Sequence, residues 1–348
     1  MFANKIIQTL FLFLFSISCS SQPYPITDHY NGKNFYNPGQ PPVKGFLDLL
    51  KWQMAGSKTP WPESRPLKTT PRIPEKVDKD SLSTTFINHM THLVQFEKLN
   101  LLTDPIFSQR ASPVSWAGPK RVHPPAVSIQ NLPRIDVVII SHNHYDHMDA
   151  SSIRELTLKW NPLFIVPLAN AELLKKFGAK NIIELDWWQK HALPESDAVI
   201  TLVPTQHWCA RGLFDRNESL WGGFVIQVQS LQVYFPGDTG YGEHFKIIGQ
   251  KMGPMDLSFL PIGAYEPRWF MKEQHMNPDD AVLAHKDLPS KQSIGTHFRT
   301  FQLTDEGIDQ PVIDLEIALQ KYNVSNQFFI APEPGETFEL KKTVKPTN

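Results

Sequence analysis

Cysteine is scarce in this sequence of 348 residues, which contains only Cys19 and Cys209. A small domain stabilised by several disulfides needs more cysteines than this chain supplies. If Cys19 carries a lipid, only Cys209 remains and no intramolecular disulfide can form. We therefore expect the stability of the fold to come from sources other than disulfides, a hydrophobic core among them.

An excess of charge of either sign is also missing. The 34 Lys and Arg residues balance 35 Asp and Glu residues, which leaves a formal net charge of -1. A general nucleic-acid-binding function is therefore not expected, because no basic excess is available to pair with phosphates. Hydrophobic residues make up 41% of the chain and charged residues 20%, which is ordinary for a soluble globular protein with a core.

The apolar run near the N-terminus is too short for a typical membrane-spanning helix. Lys5, the run IIQTLFLFLFSIS and Cys19 have the layout of a secretory signal. Cys19 is placed as in a bacterial lipoprotein cleavage site, although Ser16 stands where that motif usually has Leu. We expect residues 1–18 to be a signal peptide and a lipidated Cys19 to hold the exported protein at a bacterial envelope membrane, facing the periplasm. Plain secretion and a retained anchor are the alternatives.

Residues 19–80 are predicted to be a proline-rich extension, since the segment 22–76 holds ten of the 30 prolines. Within it, residues 45–56 predict a short helix with Phe46, Leu49, Leu50 and Met54 near one face. We expect this helix to lie against the main body, and contact with a membrane is the alternative. Residues 81–340 are expected to form one domain that mixes helices and strands.

Short β runs alternate with helices from Ser81 onwards. The stretch TFINHMTHLV predicts a strand that contains His89 and His92, and IDVVIIS (135–141) is a continuous apolar run typical of a buried strand. The segment from Asn277 predicts a helix, because a capping residue is followed by proline and two acids. This mixture suits two sheets packed together with helices outside.

The stretch SHNHYDHMD, residues 141–149, directly follows the predicted buried strand. One residue separates His142 from His144, and Asp146 is next to His147. Imidazole nitrogen and carboxylate oxygen are the ligands that zinc and similar ions prefer. If the chain turns tightly from a strand into a helix, these four side chains can point at two nearby centres. A polar surface loop is the alternative, but a chance turn rarely has this spacing.

Three more candidate ligands close strand-like runs elsewhere in the sequence. His207 follows LVPTQ, Asp238 follows VYFPG and His297 follows SIGT. Sites in α/β folds gather side chains from several strand ends, so these residues are expected to join the first four. Five histidines and two aspartates are enough for two metal ions, and Asp238 is suited to bridging them. Cys209 is more typical of a small buried residue than of a ligand.

The spacing H-x-H-x-D-H resembles the signature of the metallo-β-lactamase superfamily. That resemblance implies an α/β fold, an αββα sandwich with the metals at one edge. Longer stretches resemble one branch, the N-acylphosphatidylethanolamine-hydrolysing phospholipase D (NAPE-PLD) family. The matching stretches lie between about Ser81 and about Asn323, and they are LLTDPIFSQRASP, GPKR, IELDWW, TQHWC, FPGDTGY and PIGAYEPRWFM.

The resemblance implies two Zn²⁺ ions and a phospholipid substrate at a membrane surface. A hydroxide bound by both ions is then the nucleophile, Asp146 belongs to the catalytic set, and His275 stabilises the transition state or acts as an acid. Iron or manganese stays possible, because imidazole and carboxylate groups accept several divalent ions. The implied ligands are His142, His144 and His207 for the first ion, Asp146, His147 and His297 for the second, and Asp238 for both.

Further expectations concern the surroundings of the site. His89 and Tyr145 are possible substrate-lining residues, and the alternative for His275 is a cap at a helix entry. A homodimer is possible. The alternative functions are a lactonase or small-phosphodiester hydrolase of the same fold, and a non-catalytic envelope lipoprotein. For β-lactam hydrolysis there is no support beyond the shared metal motif.

Overall fold

The computed structural model describes residues 24–39, 44–56 and 58–342. The predicted signal peptide, residues 1–18, and Cys19 lie outside these ranges. The helices α1 to α7 span Phe46–Ala55, Ala150–Trp160, Ala171–Lys176, His244–Met252, Arg268–Met271, Pro278–Asp287 and Gln310–Lys321. The strands β1 to β14 span Ser81–Asn88, Thr91–Phe96, Leu99–Thr103, Val137–Ile139, Leu163–Pro167, Asn181–Leu185, Lys190–Leu193, Ala198–Val203, Gly223–Val228, Leu231–Phe235, Leu257–Pro261, Ser293–Thr296, Phe329–Ile330 and Thr337–Lys341.

The strands of the described residues form two seven-stranded sheets. The first has the order β14-β1-β2-β3-β4-β5-β6; pairing is antiparallel from β14 to β3 and parallel from β3 to β6. The second has the order β13-β12-β11-β10-β9-β8-β7; pairing is parallel from β13 to β10 and antiparallel from β10 to β7.

Hydrophobic side chains fill three layers. The central layer lies between the two sheets and includes Val94, Ile139, Ile200 and Phe259. A second layer joins the second sheet to α4, α6 and α7, and a third joins the first sheet to α2 and α3. Burial of these apolar faces holds the layers together. The predicted αββα sandwich is confirmed.

The carboxyl ends of five strands meet at one edge of the sandwich. Strands β3 and β4 of the first sheet end at Thr103 and Ile139, and β8, β10 and β12 of the second sheet end at Val203, Phe235 and Thr296. Every predicted metal ligand follows one of the last four strand ends. The edge therefore receives polar side chains from both sheets.

The predicted strand containing His89 is in fact two strands joined by a tight turn. His89 has a φ of +47°, a left-handed conformation that a strand does not allow. Its N–H donates to Oγ1 of Thr300 at 2.9 Å, and its carbonyl accepts the N–H of His297 at 2.9 Å. These contacts turn the chain at His89 and place that residue beside the strand ends of the second sheet.

Helix α1 lies against the main body, but through a different residue than predicted. Trp52 is buried; its indole N–H donates to Oδ2 of Asp305 at 2.8 Å, and its ring lies 5.1 Å from that of Phe270. Leu49, Leu50 and Met54, three of the four residues expected on the apolar face, are 37%, 42% and 85% exposed. These three side chains are therefore not buried, and the large indole ring of Trp52 makes the contact instead. Among the described residues, no helix is long and apolar enough to cross a membrane.

An ion-pair cluster ties the N-terminal extension to the domain. Oε1 of Glu333 lies 3.1 Å from Nη2 of Arg65, 3.1 Å from Nη1 of Arg299 and 2.9 Å from Nζ of Lys68. Burial alone raises the pKa of Glu333, but these three cations outweigh it and lower that pKa below 4.5. Arg299 is two residues from His297, so the extension is fixed close to the metal-ligand edge.

Candidate metal centre

The segment between β4 and α2 turns tightly around four of the predicted ligands. The N–H groups of His147 and Met148 both donate to the carbonyl of His144, at 3.2 and 2.9 Å. Asp149 then caps α2 by accepting the N–H groups of Ser151 and Ser152. The cap fixes where the helix begins and so fixes the direction of the turn before it.

The first donor set consists of His142, His144 and His207. Nδ1 of His144 lies 2.9 Å from Nε2 of His142 and 3.3 Å from Nε2 of His207. Burial lowers the pKa of His142 and His207 well below 6.5 and that of His144 to about 4. Burial therefore disfavours the protonated form of all three imidazoles, and the neutral form is the one that binds metal.

The second donor set consists of Asp146, His147 and His297. Oδ2 of Asp146 lies 3.2 Å from Nε2 of His147 and 3.4 Å from Nε2 of His297. Neither of these Nε2 atoms, both buried, has a hydrogen-bond partner among the described groups. His297 adopts a φ of +63°, which turns its side chain out of the strand direction and toward this cluster.

Asp238 lies between the two sets. Its Oδ2 is 3.2 Å from Nε2 of His147 and 3.9 Å from Nε2 of His207, and its Oδ1 is 3.1 Å from Nε2 of His297. Burial opposes protonation of these two imidazoles, but Asp238 and Asp146 outweigh it, raising the pKa of His147 well above 6.5 and that of His297 to about 9. The carboxylates thus concentrate negative charge where a cation is expected.

The donor spacing fits divalent metal ions. Ligands 2.0–2.1 Å from a tetrahedral ion lie about 3.3 Å from one another. The closest donor contacts within the two sets measure 2.9–3.4 Å. Buried imidazole nitrogens and carboxylate oxygens gathered at this spacing are what a divalent cation requires.

A layer of hydrogen bonds behind the ligands was not predicted from the sequence. Asp104, which follows β3, is fully buried; its Oδ2 accepts from Nδ1 of His147 at 2.7 Å and from Oγ of Ser141 at 2.6 Å. Nδ1 of His207 donates to the carbonyl of Gln274 at 3.0 Å. These contacts orient two imidazoles so that Nε2 faces the centre. The position of Asp104 in LLTDP, directly after a strand, was the sequence signal that could have indicated this role.

Gly237 allows Asp238 to approach the ligand segment. Its φ is +63°, and a Cβ at this position would lie 2.2 Å from Cβ of Ser141. Only glycine fits without displacing Ser141, which is next to His142. This close approach brings the end of β10 in the second sheet against the residue that precedes His142.

The remaining predicted residues lie at or near the two donor sets. Nδ1 of His275 is 3.8 Å from Oδ2 of Asp238, and burial lowers the pKa of His275 to about 4. His89, 1% exposed, places its Nε2 2.9 Å from Oδ2 of Asp146. The hydroxyl of Tyr145 donates to the carbonyl of Arg211 at 2.7 Å. Cys209 is buried, as predicted, and burial raises its pKa to about 12.

The chain is similar in sequence to proteins of one known superfamily. The family described as "Beta-lactamase superfamily domain" matches residues 99–298. The chain is 35% identical over 336 residues to N-acyl-phosphatidylethanolamine-hydrolyzing phospholipase D 1 of Caenorhabditis elegans, with 89% of this chain and 93% of that protein covered. The chain belongs to the NAPE-PLD-like family of the metallo-β-lactamase superfamily.

A second relative of this NAPE-PLD-like chain is the Saccharomyces cerevisiae protein named N-acyl-phosphatidylethanolamine-hydrolyzing phospholipase D, mitochondrial. It is 32% identical over 275 residues, which cover 76% of this chain and 58% of the yeast protein. Among solved structures, isothiocyanate hydrolase from Delia radicum gut bacteria has a TM-score of 0.60 at 18% identity and covers 74% of this chain and 98% of that one. The structural match shows the shared fold.

Family and donor chemistry together define the general activity of this NAPE-PLD-like chain. The superfamily implies a divalent metal, and the strand-end cluster of His and Asp residues supplies donors for it. The chain is a metal-dependent hydrolase.

Proposed function

We propose that this hydrolase is a phospholipase D-type phosphodiesterase that cleaves N-acylphosphatidylethanolamine. Water adds to phosphorus, the bond from phosphorus to the ethanolamine oxygen breaks, and the products are N-acylethanolamine and phosphatidic acid. The observation that carries the proposal is the 35% identity to the C. elegans phospholipase across 93% of its length. The match spans most of both proteins and so extends well beyond the metal-binding turns.

We propose that the two donor sets hold two metal ions, both Zn²⁺. His142, His144 and His207 would hold the first, Asp146, His147 and His297 the second, and Asp238 would contact both. When bound, two such ions lower the pKa of water to near neutrality and neutralise phosphate oxygens. The position of Asp238 supports the sharing, because its Oδ2 lies 3.9 Å from Nε2 of His207 in the first set and 3.2 Å from Nε2 of His147 in the second. Metal analysis of the purified protein, expected to give about two Zn²⁺ per chain, tests ion number and identity.

His275 is proposed to donate a hydrogen bond to a phosphate oxygen as negative charge develops on it. Its Nδ1 is buried and has no hydrogen-bond partner among the described residues, yet it lies beside the shared carboxylate. Nη1 of Arg268 donates to the carbonyl of His275 at 2.9 Å and fixes the backbone there. A neutral imidazole with one N–H suits the role of transition-state stabiliser.

Asp146 is proposed to take part in catalysis as a ligand that His89 holds in place. His89 contacts Asp146 at 2.9 Å and is almost completely buried. We therefore propose that His89 positions the Asp146 carboxylate and does not line a substrate groove. Tyr145 is half-buried, with the guanidinium of Arg211 4.0 Å from its ring centroid. Of the two possible substrate-lining residues, His89 and Tyr145, we therefore propose that only Tyr145 has this role.

The test is an assay with vesicles that contain N-acylphosphatidylethanolamine. We expect zinc-loaded protein to release N-acylethanolamine, a chelator to abolish release, and added Zn²⁺ to restore it. Lactones and a soluble bis-nitrophenyl phosphate, assayed in parallel, distinguish the other hydrolase activities of this fold. The lipid proposal fails if only the soluble substrates are hydrolysed. If neither wild type nor Asp146→Asn turns over any substrate while both bind vesicles equally, a non-catalytic lipoprotein is favoured.

We also propose that the chain is exported and lipidated at Cys19 in a bacterial envelope. The N-terminal sequence pattern supports this. The yeast relative is named as mitochondrial, so the proposal assigns the two proteins to different compartments. Cells fed an alkyne-labelled fatty acid should incorporate it into the wild-type chain and not into the Cys19→Ser variant. Equal labelling of the two would contradict lipidation at Cys19.

A further inference from the structure

Glu306 is a buried carboxylate that lies outside the two donor sets. It is 6% exposed, and its oxygens accept two backbone N–H groups, that of Ala264 at 2.6 Å to Oε1 and that of Glu266 at 3.1 Å to Oε2. Burial raises the pKa of Glu306 because it disfavours the charged form, although the two N–H groups act in the opposite direction. Because burial of a carboxylate is unfavourable for folding, the groups that it holds indicate what Glu306 does.

The segment 263–267, between β11 and α5, takes its shape from Glu306. Ala264 has a φ of +61°, a left-handed conformation that residues with a Cβ rarely adopt. The N–H groups of Ala264 and Glu266 converge on the one carboxylate, which accepts both only while the segment keeps this bend. The two hydrogen bonds therefore offset the conformational cost at Ala264.

The start of this segment is fixed independently of Glu306. A Cβ at Gly263 would lie 2.2 Å from the carbonyl oxygen of His297, and the N–H of Ile262 donates to the carbonyl of Thr296 at 3.0 Å. Strand β12 thus holds the chain as far as Gly263. We expect loss of the Glu306 carboxylate to change the segment beyond Gly263 and to leave the proposed ligand His297 in place.

The far end of the segment leads to His275. Oε2 of Glu266 accepts the N–H of Arg268, the first residue of α5, at 2.9 Å. Nη1 of Arg268 donates to the carbonyl of His275 at 2.9 Å, and its Nη2 donates to Oδ2 of Asp280 at 2.7 Å. A continuous series of contacts therefore runs from Glu306 to the backbone of His275.

The N-terminal extension supports Glu306 from the other side. The indole N–H of Trp61 donates to the carbonyl of Glu306 at 2.9 Å, and the N–H of Thr59 donates to the carbonyl of Asp305 at 2.9 Å. The indole N–H of Trp52, in α1, donates to Oδ2 of Asp305 at 2.8 Å. These contacts fix the backbone that carries the carboxylate, so the carboxylate is a rigid support for the segment 263–267.

We propose that Glu306 is a positioning residue for the reaction. Its carboxylate holds the segment 263–267 in the bend from which Arg268 reaches His275. The inference rests on the proposed function, in which His275 stabilises the transition state. Nδ1 of His275 lies 3.8 Å from Oδ2 of Asp238, and a misplacement of about 1 Å can lower the rate of an enzyme about 10²-fold.

Glu306→Gln tests the proposal, because the amide keeps the shape of the side chain but turns one acceptor into a donor that faces a backbone N–H. On the substrate that the wild type hydrolyses, we expect kcat to fall about 10–100-fold and KM to stay within about twofold. Bound metal should equal that of the wild type. Glu306→Asp, whose carboxylate is one methylene shorter, should show a smaller fall in kcat, and it replaces Glu306→Gln if that variant does not fold.

The matched control is Asp256→Asn. Asp256 is 2% exposed and also accepts a backbone N–H, that of Gln232 at 2.9 Å, but it precedes β11 at the opposite sheet edge. We expect this variant to be less stable than the wild type and to keep kcat within about twofold. An equal fall in kcat for Asp256→Asn and Glu306→Gln would overturn the proposal.

A double-mutant cycle with His275→Ala separates positioning from general stabilisation. If Glu306 acts through His275, Glu306→Gln should lower kcat less than about twofold once His275 is alanine. A fall of similar size in both backgrounds would overturn the proposal, as would an unchanged kcat in the wild-type background.

A crystal structure of Glu306→Gln gives a measurement that does not depend on catalysis. We expect the distance from Nδ1 of His275 to Oδ2 of Asp238, 3.8 Å in the wild type, to lengthen by about 1 Å. An unchanged distance would refute the positioning role. If the wild type hydrolyses no lipid, the proposed function fails, and this distance still decides whether Glu306 positions His275.

Discussion

Replacement of Asp104 by asparagine tests whether the groups behind the ligands control metal binding. The two oxygens of Asp104 accept three hydrogen bonds, from the backbone N–H and hydroxyl of Ser141 and from Nδ1 of His147, at 2.6–2.7 Å. Asparagine keeps the shape but replaces one oxygen by an NH₂ group. If the NH₂ group faces His147, two hydrogen-bond donors oppose each other. If it faces Ser141 instead, the N–H or hydroxyl of Ser141 loses its acceptor.

The expected magnitude follows from the burial of this contact. Removal of a partner behind a metal-bound histidine typically weakens metal binding about 10–100-fold. A buried donor left unpaired costs about 1–3 kcal/mol of folding free energy. We therefore expect Asp104→Asn to show both effects, because Asp104 is fully buried and contacts a proposed ligand directly.

The assay is competition for Zn²⁺ between the protein and a chelator of known affinity, combined with urea unfolding of the metal-free protein. Asp256→Asn is the matched control: Asp256 is also buried and accepts from the N–H of Gln232 at 2.9 Å and from Lys291 at 2.7 Å, but it precedes β11 at the opposite sheet edge. We expect it to lower stability and to leave zinc affinity unchanged. If Asp104→Asn also binds zinc within about twofold of wild type, the reasoning about the hydrogen bonds behind the ligands is refuted.

Three other substitutions have defined outcomes. Asp238→Asn removes the charge shared by the two donor sets, so bound metal, measured by mass spectrometry after dialysis, should fall from about two ions per chain to one or none; two retained ions would contradict the sharing. Gly237→Ala places a Cβ 2.2 Å from Cβ of Ser141 at a φ of +63° and should cost about 2–4 kcal/mol in urea unfolding, whereas an unchanged midpoint would refute the close contact. The pKa of Glu333 is held below 4.5, so its carboxylate stabilises the fold above that pH, and this contribution is lost as the pH falls through the folded-state pKa. The melting temperature of Glu333→Gln should therefore lie furthest below wild type near pH 7 and approach it near pH 3; a pH-independent difference would contradict the ion-pair account.

The layered fold and the grouping of the candidate ligands could be predicted because both depend on local patterns. A buried strand followed by H-x-H-x-D-H fixes where the chain turns, and strand ends elsewhere supply His207, Asp238 and His297. The turn at His89 could not be predicted, since the apolar pattern continues through it. That turn depends on contacts with Thr300 and His297, more than 200 residues away.

The orientation of α1 and the role of Asp104 could not be predicted from the sequence either. Periodicity showed that Leu50 and Met54 share a face, but it could not show that Trp52 finds a pocket beside Phe270 and an acceptor in Asp305. Asp104 stands in a matching stretch without any local feature that assigns it to His147. Long-range partners of this kind are invisible to a single sequence.

The donors of each proposed ion are divided between the two sheets. This division has a consequence for when metal can bind during folding. His142, His144, Asp146 and His147 follow β4, whereas His207, Asp238 and His297 follow strands of the other sheet. Neither sheet alone supplies all the donors of either proposed ion, so we expect the ions to bind after the sheets have packed. A chain exported unfolded would therefore cross the membrane without metal and take its ions from the far side. Its metal content would then record the supply of that compartment and not of the cytoplasm in which it was synthesised.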